Sequence, residues 1–227
     1  MTPIIVIRPE PGSSATVTAA QKIGLKVQGF PLFKVVPRRW VPPPADTVDA
    51  LLLGSANALR HGGENVARYV GKPAYVVGES TAEAALLAGL TIAASGMGGL
   101  QEVLNQATHP RLLRLAGEDH VALVPPSGIT LIERIVYASQ PQPMSAALAQ
   151  ILADPAAVLL HSAAAARHFT AECARLGIAR DKFSLAAIGP RVAEAAGTGW
   201  GSLTSAALPS DHALLALAKR LWQTATS

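Results

Sequence analysis

The sequence predicts an α/β protein of two similar lobes, each a doubly wound parallel sheet flanked by helices, joined by two extended connectors. Three observations lead to this prediction. The chain contains an internal repeat, each repeated block alternates a short apolar run with a helical pattern, and proline-rich stretches separate the two copies. Half of the residues are hydrophobic but only 4% are aromatic, which suits thin helix-on-sheet layers better than a β-sandwich.

The repeat consists of three pairs of segments that match in the same order along the chain. The pairs are residues 50–61 with 157–168, 74–85 with 185–196, and 90–94 with 203–207. The first pair is identical at 8 of 12 positions and the second at 5 of 12, and the offsets are 107, 111 and 113. Because the offset grows only by the size of short loop insertions, we interpret the pairs as a true repeat.

Each block has the pattern of a strand, a turn and then a helix. Short apolar runs such as residues 51–53 are typical of parallel strands that are buried on both faces. Ser55 and Ser162 follow the first strand of each copy, where serine is a favoured N-cap residue. Gly78 and Gly189 hold the equivalent place in the second block. This alternation predicts a parallel, doubly wound sheet in each lobe.

A fourth block indicates how the chain runs between the lobes. Residues 112–118 begin a strand and turn, and a helix followed by a strand at 135–138 should complete that block. Its counterpart starts at the other end of the chain, with residues 4–12, a helix that ends near Gly24 and a strand near residues 27–36. The chain therefore starts the first lobe, builds the whole second lobe and then returns to complete the first.

The lobe boundaries follow from this threading. Residues 1–34 and 145–227 should form the discontinuous first lobe, 46–135 the inserted second lobe, and 35–45 and 136–144 the connectors. Both connectors are proline-rich and should be extended. Two adjacent connectors with few contacts across them would form a hinge, and we expect the working site in the cleft between the lobes.

Composition and charge restrict the partners and the location of the protein. The formal charge is +4, but the longest basic run is Arg38–Arg39, and no basic stripe with exposed aromatics indicates a nucleic-acid partner. No apolar stretch approaches the ~20 residues that cross a bilayer, and we see no secretory signal. The single cysteine, Cys173, excludes an internal disulfide. We expect a cytoplasmic monomer that does not associate with membranes.

Candidate binding residues lie where the predicted strands end. Open α/β sheets bind ligands at the carboxyl ends of their strands, where helix N-termini offer N–H groups that suit carboxylates and phosphates. The candidates are Arg8, Ser55, Gly78, Ser80, Thr81, His161, Ser162, Gly189 and Arg191. For any one of them, a role in helix capping alone is an open alternative. Together they predict a site for a small polyanionic ligand.

Signatures of metal or cofactor chemistry are not visible in the sequence. Histidine and cysteine show no spacing typical of a metal site. Residues 96–99 are glycine-rich but lack the Gly-Lys-Ser/Thr of a P-loop and the spacing of a dinucleotide fingerprint. A nucleophile elbow is also missing. We therefore predict that the protein uses neither a metal nor a cofactor.

Seven segments, taken in order, resemble the uroporphyrinogen-III synthase family. They are residues 7–9, 52–58, 77–82, 114–118, 136–137, 160–162 and 187–190. The resemblance extends from about residue 4 to 221. It implies a lyase of haem biosynthesis that acts on hydroxymethylbilane, a linear tetrapyrrole with eight carboxylates. Such an enzyme closes the ring with loss of water and inversion of the fourth pyrrole, through a spirocyclic intermediate and without a cofactor.

The resemblance also assigns roles to particular residues. Tyr137 matches the candidate active-site tyrosine of the family, and its neutral phenol could donate a hydrogen bond to the departing hydroxyl. Hydroxyl groups that lie near the family's cleft match Ser55, Thr81 and Ser162. The chain departs from the common pattern at residues 56–57 and 191–192, so the resemblance carries no binding contact over to those places.

Two functions of other classes are alternatives to the enzyme. A non-catalytic, two-lobed receptor for a small polyanion would have the same architecture, although the missing export signal argues against it. A basic nucleic-acid-binding module would show binding to DNA that depends steeply on salt. The isomer composition of the porphyrins formed from hydroxymethylbilane, with and without the protein, separates catalysis from binding.

Overall fold

The computed structural model describes residues 2–224, with side chains described for residues 2–220. The outermost predicted boundaries of the first lobe, residues 1 and 227, lie outside the described residues. Contacts divide the chain into two compact units, which we call the first unit (Met1–Lys34 and Gln140–Ser227) and the second unit (Val35–Ser139). Each unit has its own sheet with helices packed against it, which confirms the predicted α/β fold class.

The described residues form the following elements. The strands are β1 (Ile4–Val6), β2 (Val27–Gly29), β3 (Phe33–Pro37), β4 (Ala50–Leu53), β5 (Pro73–Val77), β6 (Thr91–Gly96), β7 (Arg111–Gly117), β8 (Thr130–Pro141), β9 (Ala157–Leu160), β10 (Ser184–Ala187) and β11 (Ser202–Ser205). The α-helices are α1 (Gly12–Lys22), α2 (Asn57–His61), α3 (Glu79–Leu87), α4 (Leu100–Asn105), α5 (Ala146–Ile151), α6 (Ala163–Arg175), α7 (Pro190–Ala196) and α8 (Asp211–Thr224). Short 3₁₀ helices span Ala45–Thr47 and Gly63–Tyr69.

The sheet of the first unit has the strand order β11-β10-β9-β1-β2, and all its pairs are parallel. Its central strands are buried on both faces because helices cover both sides. Ile5 and Ile7 pack on one face against α5, α6 and α7, whereas Ile4 and Val6 pack on the other face against α1 and α8. This two-sided burial explains why the strands are continuous apolar runs in the sequence.

The sheet of the second unit has the strand order β3-β8-β7-β4-β5-β6. The repeat makes β4, β5 and β6 the counterparts of β9, β10 and β11, and it makes β7 and β8 the counterparts of β1 and β2. With these equivalences the two sheets have the same strand order, and β3 is an additional edge strand. The counterpart of the fourth block therefore lies at the beginning of the chain, where the repeat predicted it.

Both divisions between the units fall within strands. One boundary lies between residues 34 and 35, within β3, and the other lies between residues 139 and 140, within β8. Part of each connector predicted from the sequence therefore belongs to a strand. The proline-rich residues 38–44 are attached to the second unit. The indole nitrogen of Trp40 donates to the carbonyl oxygen of Gly62 (2.8 Å), and the hydroxyl of Tyr69 donates to the carbonyl of Pro43 (2.8 Å).

The helix predicted between residues 118 and 135 is absent, and this part of the prediction is wrong. Residues 118–129 form no helix, and strand β8 begins already at Thr130. Consecutive prolines at 125 and 126 cannot continue a helix, and Gly128 has φ of +84°. The strand predicted near residues 27–36 is likewise two strands, β2 and β3, because proline 31 interrupts the pairing.

None of the helices in the described part of the chain is both long and apolar enough to span a membrane.

Candidate active site

A pocket in the second unit, of about 470 Å³, lies at the carboxyl ends of strands β4 and β7 and beside β8. We call it the second-unit pocket. Its lining comprises Gly54, Ser55, Gly99, Leu100, Gln101, residues 114–117, residues 119–123 and Tyr137. The pocket therefore contains two of the residues predicted from the sequence, Ser55 and Tyr137. Residues 119–123 belong to the segment in which the predicted helix is missing.

Tyr137 is half-buried on β8 and lies against the backbone of β7. A Cβ at Gly117 would lie 2.7 Å from Cε2 and Cζ of the tyrosine and 2.9 Å from its hydroxyl oxygen. On another side, the His61 ring centroid is 6.3 Å from that of Tyr137. Burial and the nearby Arg60 lower the pKa of His61, so this imidazole is neutral at pH 7. The phenol ring of Tyr137 thus lies between the backbone of Gly117 and the uncharged imidazole of His61.

Ser55 begins the turn that follows β4. Its Oγ accepts a hydrogen bond from the N–H of Asn57 (3.2 Å), the first residue of helix α2. This contact uses only the acceptor capacity of the hydroxyl, so the O–H remains available as a donor toward the pocket. The N-cap of α2 is Ala56 and not Ser55 as predicted, so Ser55 holds the turn before the helix and can still donate to a ligand.

Three further polar residues in or beside the pocket were not predicted from the sequence. Arg114 lies within β7, its side chain is only 5% exposed, and its Nη1 donates to Oε2 of Glu133 on β8 (2.7 Å). The Nε of Arg114 is buried without a hydrogen-bond partner. The other carboxylate oxygen of Glu133 lies 2.6 Å from Nε2 of His120. A charged residue in the apolar run 112–116 was the sequence signal that could have identified this cluster.

His120 has oxygen atoms within hydrogen-bond distance of both ring nitrogens. Its Nδ1 lies 2.7 Å from the carbonyl oxygen of Gly117 and 3.2 Å from that of Glu118, while Nε2 faces the Glu133 carboxylate. All these oxygens are acceptors, and together they fix the ring of His120 beside Glu133. Glu133 is therefore shared between Arg114 and His120, and only one of its carboxylate oxygens is bound by the guanidinium.

The candidates at the start of helix α3 lie outside the second-unit pocket. Gly78 has φ of +81°, and its N–H donates to the carbonyl oxygen of Gly96 (2.9 Å), so this amide is already paired. Thr81 is buried, at 3% exposure, whereas Ser80 is exposed. The glycine at position 78 therefore serves the turn itself through its conformation.

In the first unit, two candidates lie around one carboxylate. Arg8 follows β1 and His161 follows β9, and these strands are parallel neighbours. Arg8 Nη1 lies 2.9 Å from Oδ1 of Asp211, the first residue of α8, and Thr16 donates to Oδ2 of that carboxylate (2.8 Å). His161 Nε2 also lies 3.1 Å from Oδ1, although this pair is not aligned for a good hydrogen bond.

The electrostatics of this cluster favour an ionised Asp211. Burial alone would raise the pKa of Asp211, but its contacts with His161, Arg8 and Thr16 lower the pKa to about 2. Its position in the first turn of α8 adds a favourable interaction with the helix dipole. The guanidinium of Arg8 is consequently engaged by a carboxylate of the protein itself.

The remaining candidates of the first unit lie at the starts of two helices. Ser162 is the N-cap of α6, and its Oγ accepts a hydrogen bond from the N–H of Ala165 (3.1 Å), as predicted. Gly189 precedes α7 in extended conformation with φ of −174°, and Arg191 in the first turn of that helix is exposed. These residues lie at the carboxyl ends of β9 and β10.

Metal and thiol chemistry have no visible basis in the described residues. Among residues 2–224, no group of three or more His, Cys, Asp or Glu side chains is arranged to hold a metal ion. Cys173 is buried, and this burial raises the pKa of its thiol to about 11, so the thiol is not nucleophilic at pH 7.

Comparison with known proteins identifies the family. A family model described as uroporphyrinogen-III synthase HemD matches residues 14–216. A comparison with curated proteins finds no match. Among solved structures, uroporphyrinogen-III synthetase from Helicobacter pylori is similar at 19% identity and a TM-score of 0.65, over 97% of this chain and 100% of that chain. A mutant uroporphyrinogen III synthase from Thermus thermophilus is similar at 17% identity and a TM-score of 0.52, over 99% and 100% of the two chains. Both structures have the same fold, and the family match covers most of the sequence: this chain belongs to the uroporphyrinogen-III synthase family.

Proposed function

We propose that this protein acts as a uroporphyrinogen-III synthase, a lyase that cyclises hydroxymethylbilane with loss of water and inversion of the fourth pyrrole ring. The product belongs to haem biosynthesis. The observation that carries the proposal is the family match over residues 14–216. The substrate is a small molecule with eight carboxylates, which agrees with the polyanion-binding site expected at the carboxyl ends of the strands.

Catalysis by positioning explains why the site needs no catalytic triad and no cofactor. Hydroxymethylbilane loses its hydroxyl readily and can close without help to the non-inverted isomer. An enzyme therefore gains most by holding the chain in the conformer that leads to inversion and by shielding the reacting carbon from the competing closure. Hydroxyl groups, amide donors and a few cations are sufficient for this task.

Tyr137 is the proposed hydrogen-bond donor to the departing hydroxyl. Its phenol lines the second-unit pocket together with Ser55. The ring of His61 lies beside the phenol, and the glycine at position 117 gives the phenol ring room at the pocket wall. A phenol hydroxyl on a half-buried residue that lines a largely apolar pocket suits general acid assistance, because few other groups compete for its hydrogen bond.

Substrate carboxylates are proposed to bind at both sheets. The proposed contacts are Arg8, Ser55, Gly78, Ser80, Thr81, His161, Ser162, Gly189 and Arg191. Support for them differs, because Ser55 lines a pocket and Arg191 is exposed at a helix start, whereas Arg8 already binds Asp211. The Gly78 amide is occupied by Gly96, so any contribution of Gly78 comes from the shape of its turn.

We further propose that the protein works in the cytoplasm as a monomer, without a nucleic-acid partner. A single substrate and a single chain are enough for the reaction described above. Sedimentation of the purified protein would test the oligomeric state, and salt-dependent binding to DNA would contradict the absence of a nucleic-acid partner.

Isomer analysis is the decisive test of function. Hydroxymethylbilane is incubated with and without the protein, the products are oxidised, and the porphyrin isomers are separated. We expect the inverted isomer to dominate only when the protein is present. If the protein binds the substrate but leaves the isomer ratio unchanged, it is a binding protein and the proposed activity is wrong.

A further inference from the structure

We propose that Arg114 binds one carboxylate of the substrate in the second-unit pocket, and that Glu133 and His120 hold its guanidinium in place. This inference deepens the proposed function and rests on it. It assigns a side-chain cation, which the sequence did not indicate, to the pocket that contains Tyr137 and Ser55.

The position of Arg114 is costly for the fold. It lies between Leu113 and Leu115 on β7, a strand with neighbours on both sides, and the whole residue is 4% exposed. Among the described residues, Glu133 accepts a hydrogen bond from the Arg114 side chain, whereas the Nε of Arg114 is a buried donor without a partner. Buried donors are nearly always paired in folded proteins, so an unpaired one at a pocket wall indicates an acceptor that arrives with a ligand.

The free hydrogen-bond donors of the Arg114 guanidinium favour an anion as that ligand. Glu133 alone would neutralise Arg114, but it is shared with His120, whose two nitrogens both face acceptors. The guanidinium of Arg114 is thus left with one carboxylate oxygen of Glu133, and the rest of its donor capacity is open to an anionic ligand. Of the nearby acids, Glu118 is paired with Arg38 (2.8 Å), and Asp119 is exposed at the pocket rim, where water screens its charge.

The location of the cluster connects it to the reaction. Arg114, Ser55 and Tyr137 line the same pocket. A carboxylate bound to Arg114 would place the attached pyrrole beside the phenol of Tyr137. Because guanidinium groups bind carboxylates through paired, directional hydrogen bonds, this contact would fix the orientation of the substrate as well as its affinity.

Substitution of Arg114 tests the inference, with Arg111 as the matched control. Arg111 is on the same strand and is paired with Asp49, but it is exposed and lies outside the pocket lining. We expect Arg114→Met to raise KM about 10- to 100-fold, with a smaller change in kcat, because a charge-assisted hydrogen bond is lost. Arg114→Lys should restore part of the affinity, and Arg111→Met should leave KM within about twofold. An unchanged KM in a folded Arg114→Met protein would overturn the inference.

A second experiment tests the inference even if Arg114→Met does not fold or if the proposed function is wrong. If Arg114→Met does not fold, the double variant Arg114→Met with Glu133→Gln removes both charges of the ion pair and is compared with Glu133→Gln alone. Binding of uroporphyrin III is then measured by fluorescence for each protein. If the unmodified protein does not invert the ring, the proposed function fails by itself. The inference about Arg114 then stands if uroporphyrin binding weakens at least tenfold in the Arg114 variant, and it falls if binding is unchanged.

Discussion

The phenol ring of Tyr137 lies so close to the Cα of Gly117 that no larger residue fits at position 117 without displacing the ring. A Cβ there would lie 2.7 Å from two ring carbons, much closer than normal contact allows. The two residues are register partners on neighbouring strands β7 and β8, at a point where the pairing shifts. Gly117 therefore determines where the proposed hydrogen-bond donor lies in the pocket.

Gly117→Ala should lower kcat by about 10- to 100-fold, because a displacement of about 1 Å in a positioned group can have an effect of this size. The matched control is Gly99→Ala. Gly99 lines the same pocket, but its φ is −83° and a Cβ added at this position would have no atom within 4 Å. Steady-state kinetics and circular dichroism of both variants check this prediction. Equal kcat values for the two variants would contradict it.

Tyr137→Phe should retain activity. If positioning dominates, loss of the phenol hydroxyl removes one hydrogen bond, and we expect a fall in kcat of at most about 100-fold, the low end for general acid assistance. The inverted isomer should still be the main product. Complete loss of turnover in a folded variant would mean that the hydroxyl has a larger chemical role. No change in kcat would mean that Tyr137 has only a packing role.

The fold could be predicted from the sequence because its central strands are buried on both faces. Such strands, for example residues 51–53, are continuous apolar runs, and the repeat aligns them across the chain. The segment 118–129 could not be derived from the repeat, because its counterpart after β1 is the helix α1. In this segment two consecutive prolines and a glycine prevent a helix from forming.

The candidate site was predicted less completely. Helix starts have local preferences, so the sequence predicted the cap at Ser162 and the turn at Gly78, whereas it placed the cap of α2 at Ser55, one residue before the N-cap Ala56. The pairing of Arg8 with Asp211 and of Arg114 with Glu133 joins distant parts of the sequence. These partners depend on strand register and helix placement, which periodicity alone does not specify.

Gly78 and Gly189 should respond differently to alanine, although both follow a strand and precede a helix. Gly78 has φ of +81°, a conformation that strains any L side chain. Gly78→Ala should therefore reduce the free energy of unfolding by about 1 kcal/mol or more. Gly189 is extended, and a Cβ added there would have no atom within 4 Å, so Gly189→Ala should be nearly neutral. Denaturant unfolding of the two variants measures the difference, and equal destabilisation would show that the turn conformation is unimportant.

Arg8 and Arg191 should differ more in stability than in substrate affinity. Arg8→Ala removes the cation that contacts Asp211, whereas Arg191 is exposed at the start of α7. We expect Arg8→Ala to reduce the free energy of unfolding by about 1 kcal/mol, because the ion pair is about one-third exposed. Arg191→Ala should not affect stability. Each variant should raise KM less than about tenfold. An increase in KM well above tenfold for either variant would mean that its side-chain cation is a major contact of a substrate carboxylate.

Glu172 should make the stability of the protein depend on pH in the acidic range. Its carboxylate accepts hydrogen bonds from Arg175 (2.7 and 2.8 Å) and from the N–H of Met144 (2.6 Å). The Arg175 hydrogen bonds, with help from Met144 and against the effect of burial, lower the pKa of Glu172 from 4.5 to about 2. Because the folded pKa is the lower one, the stabilisation is complete above about pH 5 and is lost as the pH falls toward 2.

Glu172→Gln should therefore reduce the free energy of unfolding at pH 7 by about 2 kcal/mol, a value that allows for solvent screening at the half-exposed Arg175. The difference between the variant and the unmodified protein should shrink steadily between pH 5 and pH 2. Glu194→Gln, on the exposed face of α7, is the control and should show no such difference. Urea unfolding at a series of pH values measures both. Because Asp211 also has a pKa of about 2, only the difference between proteins isolates Glu172. A pH-independent difference would show that the side chain stabilises the fold by packing and not as a carboxylate.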